Sequence, residues 1–302
     1  MHWRKLGLIF QPPTQLLWAR THAQLPYAEP VAGGLHRIHF SSRDELGRSQ
    51  IGSVLFDLER PDHPQQPPDA TPEIALGELG SFDDRGVTAS CVVDHGGVKY
   101  QYYTGWSLGV TVPFYLGIGL AVSEDGGATY RKVSPAPVLG RTASDPYLTA
   151  SPVILIEGGV WRMWFVSCVK WTMEAGKPKH HYHIRYAESK DGLAWKTDGV
   201  VCIGFADAGE YAISRPAIVR DGDLYKMWYG HRGHAYRIGY AESRDGIVWE
   251  RKDSEVGIDV SPDGWDSQMM EYPHVIDHNG RRYMLYNGNT FGHGGFGLAR
   301  LE

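Results

Sequence analysis

The feature that most constrains this chain is a turn that recurs. Five dipeptides suited to a tight hairpin each precede a short, aromatic-rich strand. They are Gly33-Gly34 before LHRIHF, Gly96-Gly97 before VKYQYY, Gly158-Gly159 before VWRMWF, Asp221-Gly222 before DLYKMWY and Asn279-Gly280 before RRYMLY. Their second glycines stand at 34, 97, 159, 222 and 280, so the spacings are 63, 62, 63 and 58. Each dipeptide supplies the positive φ that a two-residue hairpin turn demands. Five units of that length use up the whole chain of 302 residues.

A third strand follows in each unit. YHIRYAESKDGLAWK (182–196) and YRIGYAESRDGIVWE (236–250) agree at nine of fifteen positions, and IGLAVSEDGGATY (118–130) is a looser copy. SQIGSVLFD (49–57) and FGLAR (296–300) stand in the corresponding places of the first and last units. Ser-x-Asp-Gly is a turn signal, here leading into a fourth strand that carries Trp195 or Trp249. The pattern predicts a four-stranded antiparallel meander of ~60 residues per unit. Such units repeated radially make a β-propeller, which leaves only short, protected edges. The last unit ends after its third strand, and Trp3–Phe10 is expected to supply the fourth and close the ring. The fold expected is therefore all-β: one five-bladed β-propeller domain over residues 1–302. The Pro-rich stretch 61–73 reads as a loop between the first two blades. Long apolar windows of period 3.6 are absent.

Composition narrows the partners. Thirty Lys and Arg stand against 35 Asp and Glu, a net charge of −5, with no basic block, so no nucleic-acid partner is expected. No apolar run approaches the ~20 residues that span a bilayer, so no membrane partner is expected. Leu6 to Phe10 is shorter than the roughly 7–15 apolar residues of a secretory leader, which makes a cytoplasmic location the expectation. Cys91, Cys168 and Cys202 are odd in number and contain no CxxC, which argues against a disulfide framework or a cysteine zinc site. The 10 Trp and 17 Tyr offer many flat faces on which a sugar could stack.

This blade pattern resembles the five-bladed propeller superfamily of glycoside hydrolase families 43, 32, 62 and 68. The pattern is an inner strand with Pro, an Asn-Gly or Gly-Gly turn, an aromatic strand, then Ala-x-Ser-x-Asp-Gly-x-x-Trp. The resemblance covers nearly the whole chain. It implies an active-site funnel at one end of the axis, lined by the starts of the innermost strands. It also implies an Asp as base or nucleophile, a Glu as general acid and a further Asp that tunes the acid. EYPHVIDHNGRRYML (271–285) is similar to the family 43 segment Glu-Gly-Pro-His that carries the acid, which makes Glu271 the expected proton donor. Tyr272 replaces the Gly, the segment lies in the fifth blade rather than the third, and no Arg-Asp-Pro or Asn-Asp-Pro-Asn-Gly occurs near the start. Some members hold Ca²⁺ on the axis, so a structural Ca²⁺ stays open; no other cofactor is expected.

The inner strands align on Pro26, Ser90, Pro152, Pro216 and Pro273. An acid recurs six or seven residues before the anchor in four blades: Asp83 and Asp84, Asp145, Glu210, and Asp266. Such acids either cap turns or converge on the funnel. The base or nucleophile is expected among Glu29, Asp84, Asp145 and Glu210. Residues that break the repeat are more telling. Glu271 stands two before its anchor, where blades three and four have Ala150 and Ser214. Arg215 stands one before Pro216, suited to a carboxylate or phosphate, or else paired with an acid such as Glu210. His22, Gln24, Arg215, His274, Trp106 and His231 are the expected substrate-binding residues, with Trp171 a further stacking face. His180, His181, His183, His231, His234, His274 and His293 lack metal-site spacing, so no metal ligand set is expected.

Three functions fit. The first is a glycosidase-like hydrolase of a small glycoside or sugar conjugate, anionic in one version. The second is a non-hydrolytic biosynthetic enzyme, such as a cyclase, lyase or transferase, on the same scaffold. The third is a non-catalytic sugar-binding propeller. Two facing carboxylates would favour the first, and one carboxylate with Arg215 and several His the second.

Overall fold

The computed structural model describes residues 1–302. Nineteen strands and three single-turn 3-10 helices make up its regular structure, as the hairpin spacing predicts for an all-β chain. The strands fall into five antiparallel groups. The first is β2 (Thr21–Pro30), β3 (His36–Arg43) and β4 (Ser49–Phe56). The second is β5 (Gly86–His95), β6 (Val98–Leu108), β7 (Phe114–Ser123) and β8 (Arg131–Lys132). The third is β9 (Thr149–Glu157), β10 (Val160–Glu174), β11 (Lys177–Ser189) and β12 (Val201–Ile203). The fourth is β13 (Ala212–Asp221), β14 (Leu224–Arg232), β15 (Tyr236–Ser243) and β16 (Glu250–Arg251). The fifth is β17 (Glu271–His278), β18 (Arg281–Asn287) and β19 (Phe296–Leu301), with β1 (Trp3–Phe10) antiparallel to β19.

The first strand of each group is innermost. β2 lies against β5, β5 against β9, β9 against β13, β13 against β17, and β17 against β2. A cavity of about 360 Å³ is lined by residues of all five. The core is correspondingly divided. Five apolar clusters lie between neighbouring groups, from Ile51 with Val87 and Tyr103 round to Phe296 with Phe40 and Phe56. Burial of aromatic faces between adjacent sheets, rather than within one central core, is what holds the groups together.

Every inner strand is bulged at the same register. Pairing skips between Gln24 and Tyr27, Ala89 and Cys91, Ala150 and Val153, Ser214 and Ala217, and Glu271 and His274. In four of these the residue before proline is left-handed: Leu25 at φ 56°, Ser151 at 47°, Arg215 at 48° and Tyr272 at 53°. A non-glycine residue in that region costs of order 1–3 kcal/mol and persists only where its surroundings hold it. Ser90 replaces proline in the second group, and there the bulge is one residue rather than two.

Two repeated contacts brace the groups. In the second and fifth groups the acid before the inner strand reaches a cation on an outer strand and a hydroxyl on the second. Asp83 accepts from Lys132 (2.6 Å) and Tyr103 (3.0 Å), and Asp266 from Lys5 (2.7 Å) and Tyr286 (3.1 Å). The Ser-x-Asp-Gly turn of one group then accepts from the second strand of the group before it. The Tyr102 hydroxyl donates to the Gly192 carbonyl and the Trp164 indole to the Gly246 carbonyl, each at 2.6 Å. The fifth group has no such turn, and the Trp228 indole N–H is left without a partner. Trp3 on β1 instead packs edge-on against Trp228, ring centroids 6.0 Å apart.

Trp3 is nearly buried, so Trp3→Ala should cost about 3–5 kcal/mol in a urea unfolding curve. An unchanged midpoint would mean that β1 contributes nothing to holding the fifth group in place.

Candidate functional site

The bulges make Gln24, Ala89, Ala150, Ser214 and Glu271 equivalent, since each is the last residue paired before its bulge. Glu271 is the one carboxylate among them. It is fully buried, and neither carboxyl oxygen reaches a hydrogen-bond partner. Burial pushes its pKa well above the usual carboxylate range, offset in part by the Arg232 charge and the approach of the Tyr272 hydroxyl. Burial, with a smaller contribution from this carboxyl, raises the phenols of Tyr182 and Tyr236, whose hydroxyls bond to each other. Of the side chains that feel its charge, Tyr182 belongs to the third group, Tyr236 and Arg232 to the fourth, and Tyr272 to its own. Other polar atoms nearby share the condition: the Gln24 carbonyl oxygen and the Ser90 and Ser214 hydroxyls are buried and unpartnered. A buried unmade hydrogen bond costs ~1–3 kcal/mol. A group of them at one end of five strands marks a place kept for something other than stability.

Three of the four other acids expected as base or nucleophile have their oxygens occupied by other side chains. Asp145 is fully buried and accepts from Ser167 (2.7 Å), Thr197 (2.9 Å) and Arg185 (3.2 Å). Glu210 accepts from Arg251 (2.7 and 3.0 Å), His231 (2.9 Å) and the Ala206 N–H. Burial alone would raise its pKa, but His231 and Arg251 hold it down to about 2. His231 thus pairs with the acid that precedes its own group's inner strand. Glu29 lies toward the far end of β2, bonded to Lys99 (2.7 Å) and His39 (3.2 Å), beside the cavity at the opposite end of the strands. Asp84 is half-buried. One oxygen accepts from the Gly80 N–H at 3.0 Å, and the other is buried without a partner.

Arg215 is not paired with Glu210. Buried to 2 % exposure, it runs from β13 to the carbonyls of Ala89 on β5 (3.0 Å) and Pro26 on β2 (3.4 Å). Burial lowers its pKa only to about 10, so a positive charge crosses the space between the inner strands. That guanidinium does not fit an axial Ca²⁺, which needs oxygen ligands and no cation beside it. No group of three or more His, Cys, Asp or Glu side chains is placed to hold a metal ion.

The remaining expected residues divide between the two ends. His22, left-handed at φ 67°, sits 5.1 Å from His293, and burial together with Arg43 lowers its pKa to about 4. The Gln24 amide donates to the Phe291 carbonyl at 3.3 Å. Trp106 lies flat on Gly86, where a β-carbon would meet its indole nitrogen at 1.7 Å. His274 belongs elsewhere: it bonds the Ala28 carbonyl (3.0 Å), stacks on Tyr27 (4.3 Å between ring centroids) and lines the lower cavity. Trp171 packs with Phe114 and His180 on the extended β10–β11 hairpin.

Sequence reasoning missed Arg232, Tyr182, Tyr236 and Tyr272 around Glu271, and Arg43 beside Tyr272. A signal existed for four of them. Tyr182 and Tyr236 open the two best-matched repeats. Arg43 and Arg232, with Trp106, stand nine or ten residues after their hairpin glycines.

No protein-family profile matches the sequence. Solved structures share the fold at low identity. One glycoside hydrolase superimposes with a TM-score of 0.77, at 16% identity, over 99% of this chain and 91% of its own. A thermostable family-43 glycoside hydrolase gives 0.70, at 17% identity, over 97% and 93%. The GH32 β-fructofuranosidase BmSUC1 of Bombyx mori gives 0.67, at 17% identity, over 99% of this chain and 61% of its own. The architecture is thus the propeller-type fold of the family 43 and 32 glycoside hydrolases, as the resemblance implies. The chain is also 45% identical, over all 302 residues of both proteins, to the Mycobacterium tuberculosis protein called Uncharacterized protein Rv1502, and it belongs to that family.

The buried network around Glu29 has a pH signature. His39 is fully buried between Glu29 and Glu73 (2.8 Å). Burial alone would lower its pKa, but the two carboxylates outweigh that and lift it to about 9. Its contribution to stability is full below the unfolded value of ~6.5 and is lost as pH rises through 9. The stability difference between the parent and His39→Gln should therefore shrink between pH 6.5 and 9. A constant difference would mean that His39 is neutral in the folded protein.

Proposed function

We propose that the five strand groups are the blades of a single five-bladed propeller domain, and that it is a glycosidase-like hydrolase of a small sugar conjugate. The cyclic contacts of the inner strands support the ring. One observation carries the chemistry: a fully buried carboxyl without partners, at the start of its inner strand. Glu271, kept protonated near neutral pH by burial, would donate its proton to the leaving oxygen of the substrate. Because the side chain is sealed, Tyr182, Tyr236 and Tyr272 must part to admit that oxygen. His22, Gln24 and Trp106 would face the sugar from the first two blades. Asp84, with its unpartnered oxygen, is the remaining acid able to serve as base.

A second reading has support of its own. Glycoside hydrolysis ordinarily takes two carboxylates, ~5–5.5 Å apart for retention and ~6.5–9.5 Å for inversion. Here a single carboxylate occupies the five equivalent positions, in company with arginines and tyrosines. That composition suits a transfer or elimination at the same kind of bond, without water as acceptor. Turnover of nitrophenyl glycosides in ¹⁸O-water separates the two: hydrolysis places the label in the released sugar, and transfer or elimination does not.

Glu271→Gln should fold and lose ~10²–10⁴-fold in turnover. In the parent the rate should fall as pH climbs through the raised pKa of this carboxyl. Asp266→Asn, which cuts the brace to Lys5 and Tyr286, should instead lower the melting temperature and leave turnover nearly intact. Full activity in Glu271→Gln would remove Glu271 from the mechanism.

Turnover should also persist after exhaustive treatment with EDTA. Loss of activity that Zn²⁺ or Mn²⁺ restores would assign the histidines a catalytic metal.

A further inference from the structure

Arginine is rarely buried without an acid. In this chain most arginines obey that rule: Arg37, Arg48, Arg162, Arg185, Arg251 and Arg282 all pair with carboxylates. Arg43 and Arg232 do not, although each has a buried Nε that finds no acceptor. Arg43 ends β3, paired with Thr21 at the start of β2, and Arg232 ends β14, paired with Ala212 at the start of β13. Both thus stand at the Glu271 end of the inner strands. The Arg232 guanidinium is held by aromatic faces rather than by charge, 5.5 Å from the centroid of Tyr211, 5.3 Å from Tyr236 and 5.8 Å from Phe291. Arg43 acts on Tyr272 and on His22. Both arginines are half-exposed, so a ligand can reach them while Glu271 stays sealed.

We propose that Arg43 and Arg232 bind an oxyanion substituent of the substrate, a carboxylate or a phosphate. The proposal rests on reading this end of the molecule as the substrate site. The two guanidiniums flank the Glu271–Tyr272 segment, and each has hydrogen-bond capacity to spare. Glu271 cannot neutralise them while it remains protonated. The imidazoles beside them, His22 and His180, add no negative charge; burial and the adjacent arginine keep both neutral, at about 4. Two fixed cations that no carboxylate pairs attract anionic ligands and orient them, because a guanidinium fork matches a carboxylate or phosphate with two parallel bonds. Aromatic faces under Arg232 fix its plane without competing for its donors.

Calorimetric titration tests this without any need for turnover. The probes are glucose, glucuronate, glucose 6-phosphate and inorganic phosphate. The anionic sugars should bind at least ~10-fold more tightly than glucose, and less tightly as salt is added. Arg43→Gln and Arg232→Gln should each weaken the anionic sugars by ~10–100-fold while leaving glucose unchanged, the range expected for losing a charge-assisted hydrogen bond. Arg232→Lys, which keeps charge and loses the fork, should recover part of the loss and serves if a Gln variant fails to fold. Glucuronate against glucose 6-phosphate shows which oxyanion is preferred. Equal binding of glucose and its anionic relatives, no binding by any anionic probe, or variants that bind them like the parent would each overturn the proposal. Tight anion binding with no bond cleavage would keep it and remove the hydrolase reading. Cleavage of neutral glycosides with no preference for charge would do the reverse.

Discussion

The site depends on a fault repeated in five strands. Each innermost strand gives up its ladder at one register, and in four of them the residue before proline turns left-handed there. The bulge locally increases twist and re-aims the side chains on either side. Glu271 is the last residue of its strand to pair before that break. At the same register Arg215 reaches carbonyls on two strands that are not its neighbours. Proline at the anchor removes a donor that the broken ladder could not have used.

Such a fault needs rigid support, and the braces provide it. The acids before the inner strands, paired with Lys132, Arg185, Arg251 and Lys5, clamp the loops that lead into the bulges. The Ser-x-Asp-Gly turns tie the third and fourth groups to the ones before them. Both devices spend carboxylates on structure. This explains why Asp83, Asp145, Glu210 and Asp266, which recur with the repeat, have partners, and why Glu271, outside it, is left bare.

Charge is distributed to match. At the lower end of the inner strands, Glu29, Glu73, His39 and Lys99 neutralise one another in a buried network. At the upper end, Arg43, Arg215 and Arg232 have no acid to meet. The protein thus carries a net charge of −5 and still presents an unbalanced positive end. Bulk charge is a poor guide to a site, since a few desolvated groups outweigh many solvated ones.

The sequence alone determined the strand groups, because turn chemistry and aromatic strands recur at a fixed period and both are local. It also marked Glu271 and Arg215, since each departs from the residue its repeat calls for. What it could not decide was occupancy. Asp145 and Glu210 look as available as Glu271 in a string of letters, and only folding brings Arg185 forty residues and Arg251 forty-one residues along the chain to fill them. Nor could it pair Tyr182 with Tyr236, or set Arg232 by Glu271 and Arg43 by Tyr272. Those contacts join separate groups, and their distances are set by how the sheets pack. Whether a carboxyl is an ion-paired brace or an unpartnered acid depends on what the rest of the chain places within three ångströms of it, and that is a property of the tertiary structure.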